Sequence, residues 1–251
     1  MIGSCAKVPI TGRRQLNMLP ESQLMDMSLT NYKTFLSENK VAATTKANTQ
    51  MVKSVGKKIS IAVEKFLNKE GQSKRIKGYI WEFNLVEENT VNAWCMPGGK
   101  VVVYTGLLPV TMDETGLAVV MGHEIAHAIA RHGNERMSQQ LLVMAGGIGL
   151  AVATSEKPQL TRDIFMLSYG VGSTLGVLNY SRKHESEADK MGLVFMAMAG
   201  YNPEKAVDFW ERMAESGGSK PPELISTHPS SKRRISDIQE FLPIAMTYYE
   251  K

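Results

Sequence analysis

Cysteine is nearly absent: Cys5 and Cys95 are the only two in 251 residues. At most one disulfide could form, and nothing else in the sequence supports it. A chain of this length has ample residues for a hydrophobic core without one. No apolar run reaches transmembrane length. The nearest, Leu141–Ala153, is short and rich in glycine, and Ile164–Leu178 is interrupted by Ser168, Tyr169, Ser173 and Thr174. Glu156, Lys157, Arg162 and Asp163 separate the two, so they read as buried helices rather than one span. A strong charge imbalance is missing as well: 29 Lys and Arg against 25 Asp and Glu leave a net +4. The densest basic cluster, Lys232-Arg233-Arg234, has no aromatic residues interleaved, so no nucleic-acid partner is expected. There is no internal repeat and no low-complexity segment. Hydrophobic content of 43% with 22% charged residues is that of a globular protein.

Histidine is scarce too, with five in all, and two of them stand in His123-Glu124-Ile125-Ala126-His127. On an α-helix, residues i and i+4 share a face, so His123 and His127 can hold one metal ion together. Glu124 then lies beside the open coordination position and can take a proton from water there, the mechanical content of the H-E-x-x-H motif. Thr111-Met112-Asp113-Glu114 reads as a capping box with Thr111 as N-cap. Leu117 to Met121 and Ala128 to Ala130 make the helix apolar on most faces, hence buried. Two histidines and a glutamate inside such a helix are costly unless something satisfies them, and a metal does.

A catalytic zinc usually takes three protein ligands and leaves a position for water. His132, five residues past His127, falls roughly 140° further round a continuing helix, facing away from the metal. Downstream, Glu185 and Asp189 share a helix face in Ser181-Arg182-Lys183-His184-Glu185-Ser186-Glu187-Ala188-Asp189. One carboxylate could bind zinc while the other fixes the outer N–H of a ligating histidine. Spacing alone serves equally well for the acidic first turn of a solvated helix.

Three pieces taken together resemble the membrane-linked gluzincin peptidases: CAAX prenyl proteases, HtpX-type proteases, mitochondrial Oma proteases and bacterial beta-barrel assembly-enhancing proteases. They are His123–His127 followed by Ala130-Arg131-His132, the segment 181–189, and Thr227-His228-Pro229 with Arg234 beyond; the likeness runs over residues 5–242. The resemblance implies one zinc ion per chain held by His123, His127 and Glu185, with Asp189 behind them and Glu124 as catalytic base. It also implies that His228 and Arg234 lie at the active site. There they would stabilise the oxyanion, or His228 would bind the zinc itself and hold the enzyme latent.

Ile2-Gly3-Ser4-Cys5 resembles the end of a bacterial lipoprotein signal, with Cys5 as the lipidated residue. On this reading residues 1–20 are a signal remnant and extended segment, residues 21–251 form a single metallopeptidase domain, and Cys95 is a free buried thiol. The protein would then face the periplasm as a lipoprotein, with the outer membrane as its expected location.

Glu21–Ser37 reads as a helix with Met25, Leu29, Tyr32 and Leu36 on one face, and Met51–Leu67 as another with Val52, Val55, Ile59, Ala62 and Phe66 inward. Tyr79, Trp81 and Phe83 alternate with Ile80, Glu82 and Asn84 as in a strand. Val91–Cys95 and Val101–Tyr104 suggest a hairpin about Pro97-Gly98-Gly99, and Asn202-Pro203 opens a late helix. The expected fold is α+β and predominantly helical, a gluzincin core with a small antiparallel sheet beside the metal helix. By analogy with gluzincins, Val101, Val102, Val103 and Tyr104 would form the sheet edge that binds an extended peptide.

The leading expectation is a zinc endopeptidase acting on unfolded or misassembled proteins, outer-membrane proteins among them, in envelope quality control. A periplasmic chaperone or assembly factor with a latent zinc site gated by His228 is the alternative. A purely structural zinc site gives no reason for Glu124 to follow the first ligand.

Overall fold

The computed structural model describes residues 6–145, 158–169, 181–215, 224, 228 and 232–249. Cys5, residues 146–153 of the first apolar run and residues 170–178 of the second lie outside the described residues. The chain opens with a short ribbon in which β1 (Ala6–Lys7) pairs antiparallel with β2 (Arg14–Gln15). Two helices follow, α1 (Glu21–Glu38) and α2 (Ala47–Lys69). In α2 the expected stripe of Val52, Val55, Ile59, Ala62 and Phe66 is buried. In α1 the buried face is instead Leu24, Ser28, Asn31 and Tyr32, while Leu29 is exposed. Its polar members explain why an apolar-spacing argument misplaced that face.

Three strands make the sheet: β3 (Glu82–Val86), β4 (Ala93–Met96) and β5 (Lys100–Tyr104). β4 and β5 form the expected antiparallel pair, but β3 runs parallel to β5, so the sheet is mixed. The strand order is β3-β5-β4. This corrects the edge assignment for Val101, Val102, Val103 and Tyr104: β5 is the central strand, paired on both sides. The physical reason lies in its composition. Val101 and Val103 enter the cluster with Val55, Ile59, Leu117 and Met121, whereas Val102 and Tyr104 enter the opposite cluster with Trp94, Tyr32 and Phe165. An unbroken apolar run fits a strand covered on both faces. Strand β3 also begins later than the aromatic alternation at 79–83 suggested.

The remaining helices are α3 (Leu108–Thr111), α4 (Glu114–Ala130), α5 (His132–Ala145), α6 (Pro158–Ser168), α7 (Arg182–Met198), α8 (Lys205–Glu215) and α9 (Lys232–Met246). The fold is predominantly helical, as expected. Helix α8 buries Ala206, Trp210 and Met213. Cys95 is buried, which pushes its thiol well above the ordinary value. Among the described residues no helix is long and apolar enough to cross a membrane.

The most extensive helix contact joins α4 to α7. They meet at Gly122 and Gly192, where a Cβ added to Gly192 would lie 2.9 Å from the His123 backbone nitrogen. Only glycine permits that approach, and it occurs beside the first histidine of the motif.

Candidate metal centre

Helix α4 is capped by Asp113, whose carboxylate accepts a hydrogen bond from Gly116 N at 2.8 Å. Thr111 is not the cap, because it closes α3, and Met112 follows with φ of 67°. From Gly116 to Ala130 every residue of α4 is buried. His123 and His127 sit one turn apart with their Nε2 atoms 3.0 Å from each other. Helix α7 begins at Ser181, whose hydroxyl accepts from His184 N at 3.3 Å, and carries Glu185 and Asp189 inward.

The two helices and His228 meet in one buried cluster. Glu185 Oε1 lies 3.4 Å from His127 Nε2 and 2.9 Å from His228 Nδ1, and Glu185 Oε2 lies 3.5 Å from His123 Nε2. His228 Nδ1 is 3.2 Å from His123 Nε2. One donor atom from each of His123, His127, Glu185 and His228 falls within 4.8 Å of the others. Tetrahedral zinc with bonds of about 2.0–2.1 Å holds its donors about 3.3 Å apart, so these separations fit a zinc ion. Buried Glu124 Oε1 makes no hydrogen bond and faces His228 Nε2 at 3.4 Å, an under-satisfied oxygen consistent with a cation at the centre.

The electrostatics of Glu124, Glu185 and His127 agree with that use. Burial pushes Glu124 up to about 7 against the opposing pull of His228, with Glu185 adding to the rise. Burial opposes ionisation of Glu185, but His228 and Arg234 beside it hold it well below the carboxylate range. Burial drives His127 well below the ordinary imidazole value, leaving it neutral as a metal ligand must be.

Behind the donors, His123 Nδ1 lies 2.9 Å from Asp189 Oδ1. Arg234 grips Asp189 with two bonds, Nε to Oδ2 at 2.8 Å and Nη2 to Oδ1 at 2.6 Å. Its Nη1 donates to the His228 carbonyl at 3.2 Å. The guanidinium lies over Trp210, its Cζ 3.4 Å from the ring centroid, an attractive cation–π placement. The structure therefore brings together His123, Glu124, His127, Glu185, Asp189, His228 and Arg234. Val101–Tyr104 stay in the sheet and supply no donor.

A second group escaped sequence reasoning. Arg131 adopts a left-handed conformation, φ 61°, and ends α4, so extending the helix to His132 fails. His132 starts α5 and turns back, placing its Nδ1 3.0 Å from His127 Nδ1. It is not one of the clustered donors, but it touches the outer nitrogen of one. Its Nε2 lies 3.0 Å from Glu187 Oε2. Glu187 is two residues from Glu185, about 200° round the helix, so no same-face rule singles it out.

A buried two-histidine, one-carboxylate site with a further glutamate beside it, on a helix next to a small sheet, defines a metallopeptidase of the H-E-x-x-H class. Residues 50–242 match the model of Peptidase family M48. The chain belongs to that family, and its class is metalloendopeptidase. It is 37% identical over 247 residues to the mitochondrial metalloendopeptidase OMA1 of Schizosaccharomyces pombe, covering 97% of this chain and 68% of that protein. It is 31% identical over 251 residues to the mitochondrial metalloendopeptidase OMA1 of Homo sapiens, covering 96% of this chain and 47% of that one. It is 32% identical over 168 residues to the beta-barrel assembly-enhancing protease of Yersinia pestis, covering 62% and 33%. The chain thus spans between about a third and two thirds of these relatives' lengths.

Proposed function

We propose that this chain is a zinc-dependent endopeptidase of misfolded cell-envelope proteins. The observation that carries the peptidase reading is the convergence of His123, His127 and Glu185, with Glu124 buried beside them and its Oε1 making no hydrogen bond. A zinc ion in that cluster supplies a Lewis acid for the scissile carbonyl and lowers the pKa of water. Glu124 accepts the proton of the attacking water and returns it to the departing amine. Its raised value places it near the pKa of that task. Asp189 fixes the His123 ring, and Arg234 holds both Asp189 and the His228 segment in place. His228 lies beside Glu124, with Nε2 3.4 Å from Glu124 Oε1, and serves developing negative charge on the carbonyl oxygen.

The envelope setting rests on the similarity to the beta-barrel assembly-enhancing protease and on the lipoprotein-like residues ahead of Cys5. With Cys5 lipidated, the chain works at a membrane facing the periplasm, on unfolded or misassembled proteins that include outer-membrane proteins. The relatives named for mitochondria leave the location to experiment.

A second reading is favoured by one specific contact. His228 Nδ1 is as close to the donors as they are to one another. A neutral imidazole there completes four-coordination and displaces water, giving a latent enzyme or a chaperone-like binder. Digestion of an unfolded protein such as casein separates these readings. Cutting by the parent and none by Glu124→Gln establishes the peptidase. A silent parent with an active His228→Ala establishes latency, and silence in both leaves the binding role.

A further inference from the structure

The N-terminal ribbon reaches the metal site from outside. Thr11 and Arg13 lie between β1 and β2, and Gln15 anchors the segment by donating from Nε2 to Ala130 O, at the end of α4, at 2.7 Å. Arg13 bridges two buried glutamates on different helices. Its Nη1 and Nη2 donate to Glu135 Oε1 and Oε2 at 2.7 and 2.6 Å, and its Nε and Nη2 donate to Glu187 Oε1 and Oε2 at 2.8 and 3.0 Å. Thr11 Oγ1 adds a bond to Glu187 Oε1 at 2.9 Å. Each glutamate in turn meets a histidine: Glu187 lies 3.0 Å from His132 Nε2, and Glu135 lies 3.1 Å from His184 Nε2. The two imidazoles stack, with centroids 4.4 Å apart.

Proton bookkeeping gives this chain of contacts one direction. His127 faces the donor cluster with Nε2, so when that nitrogen binds metal its remaining proton is on Nδ1. The only role left for His132 Nδ1, 3.0 Å away, is acceptor. A neutral His132 then carries its proton on Nε2 and donates it to Glu187 Oε2. Glu187 can only accept, and Arg13 and Thr11 supply the donors that keep its carboxylate in place. A ligating histidine commonly donates its outer N–H to a carboxylate or carbonyl, which fixes ring and tautomer. Here a second imidazole stands between ligand and carboxylate.

We propose that the ribbon is a working part of the metal centre, with Arg13, Glu187 and His132 as positioning residues that orient His127 for zinc. The inference rests on the zinc reading above, and it makes residues 8–15 a requirement for metal affinity. Loss of an outer partner typically weakens binding 10–100-fold. Arg13→Ala should weaken zinc binding within that range. Arg13→Lys, which keeps the charge but not the fork, should lose less, and Glu187→Gln should also weaken it.

Two measurements on the whole chain test this. Zinc affinity is read by competition with a chromophoric chelator, with far-ultraviolet circular dichroism recorded on each variant. Histidine 15N spectra of the zinc-loaded parent report tautomers, and His132 should be protonated at Nε2 and His127 at Nδ1. A parent that binds no zinc overturns the underlying reading. A parent that binds while folded Arg13→Ala binds equally well overturns the positioning role alone. If the variants fail to fold, the parent's spectra still decide: a His132 protonated at Nδ1 contradicts the relay.

Discussion

Replacing Gly192 by alanine sets helix propensity against the metal site. Alanine in a helix interior is favoured over glycine by about 0.8–1.0 kcal/mol, so propensity alone forecasts a more stable protein. The contact between α4 and α7 forecasts the opposite. The new Cβ would lie 2.9 Å from His123 N and 3.0 Å from the Gly122 carbonyl carbon, where ordinary contact begins at 3.4 Å. Backbone cannot yield as a flexible side chain can, so the helices must part by about 0.5 Å, taking the contact limit as the guide. Overpacking of this kind costs about 1–3 kcal/mol, which outweighs the propensity gain over most of its range. The larger consequence falls on zinc, whose ligand distances tolerate about 0.2 Å. Glu185 rides on α7 while His123 and His127 ride on α4, so the parting draws the third ligand from the other two. We expect Gly192→Ala to lower the urea midpoint of the metal-free protein and to weaken zinc at least about tenfold, equivalent to about 1.4 kcal/mol. A variant stabilised by about 1 kcal/mol that binds zinc as tightly as the parent would refute the argument.

Other expectations follow from the same geometry. Burial holds His132 down at about 4, below its unfolded value of about 6.5. The stability this gives is therefore fully present above about pH 6.5 and lost as pH falls toward 4, up to about 3 kcal/mol. Urea melts of the metal-free chain should show that loss, and His132→Asn should flatten it. For Glu187, burial alone would raise the value, but its bonds to His132 and Arg13 hold it at about 2. Its contribution is present above the unfolded value near 4.3 and fades as pH approaches 2, so Glu187→Gln should remove the lowest-pH part of the same curve. Arg234→Ala leaves Asp189 buried without its main cation and should cost about 3–5 kcal/mol, read as a fall in Tm. Chelation of zinc should lower the parent's Tm by an amount that grows with the logarithm of its affinity and leave that of Glu185→Gln almost unmoved.

The metal helix was legible because its period and its ligand spacing coincide: residues four apart on a buried helix must face one way. Glu185 and Asp189 obeyed the same rule but could not be told from a charged helix start until α7 was placed against α4. His132 is not among the clustered donors, as its spacing implied, but its contact with the outer nitrogen of His127 was missed because a single left-handed residue, Arg131, redirects the chain. Strand β5 was read as a strand, yet its place in the sheet depended on β3 arriving from the other side in parallel. That long-range pairing leaves no local signature. Arg13 belongs to the same category, since its partners lie 122 and 174 residues away.

The most direct test of the account is zinc content and proteolysis measured together on the parent, Glu124→Gln and Glu185→Gln. The parent should carry one zinc per chain and cut casein, or cut it once His228 is replaced by alanine. Glu124→Gln should keep the zinc and not cut, and Glu185→Gln should lose both. Cleavage by Glu124→Gln at the parent's rate, or full zinc occupancy in Glu185→Gln, would contradict it.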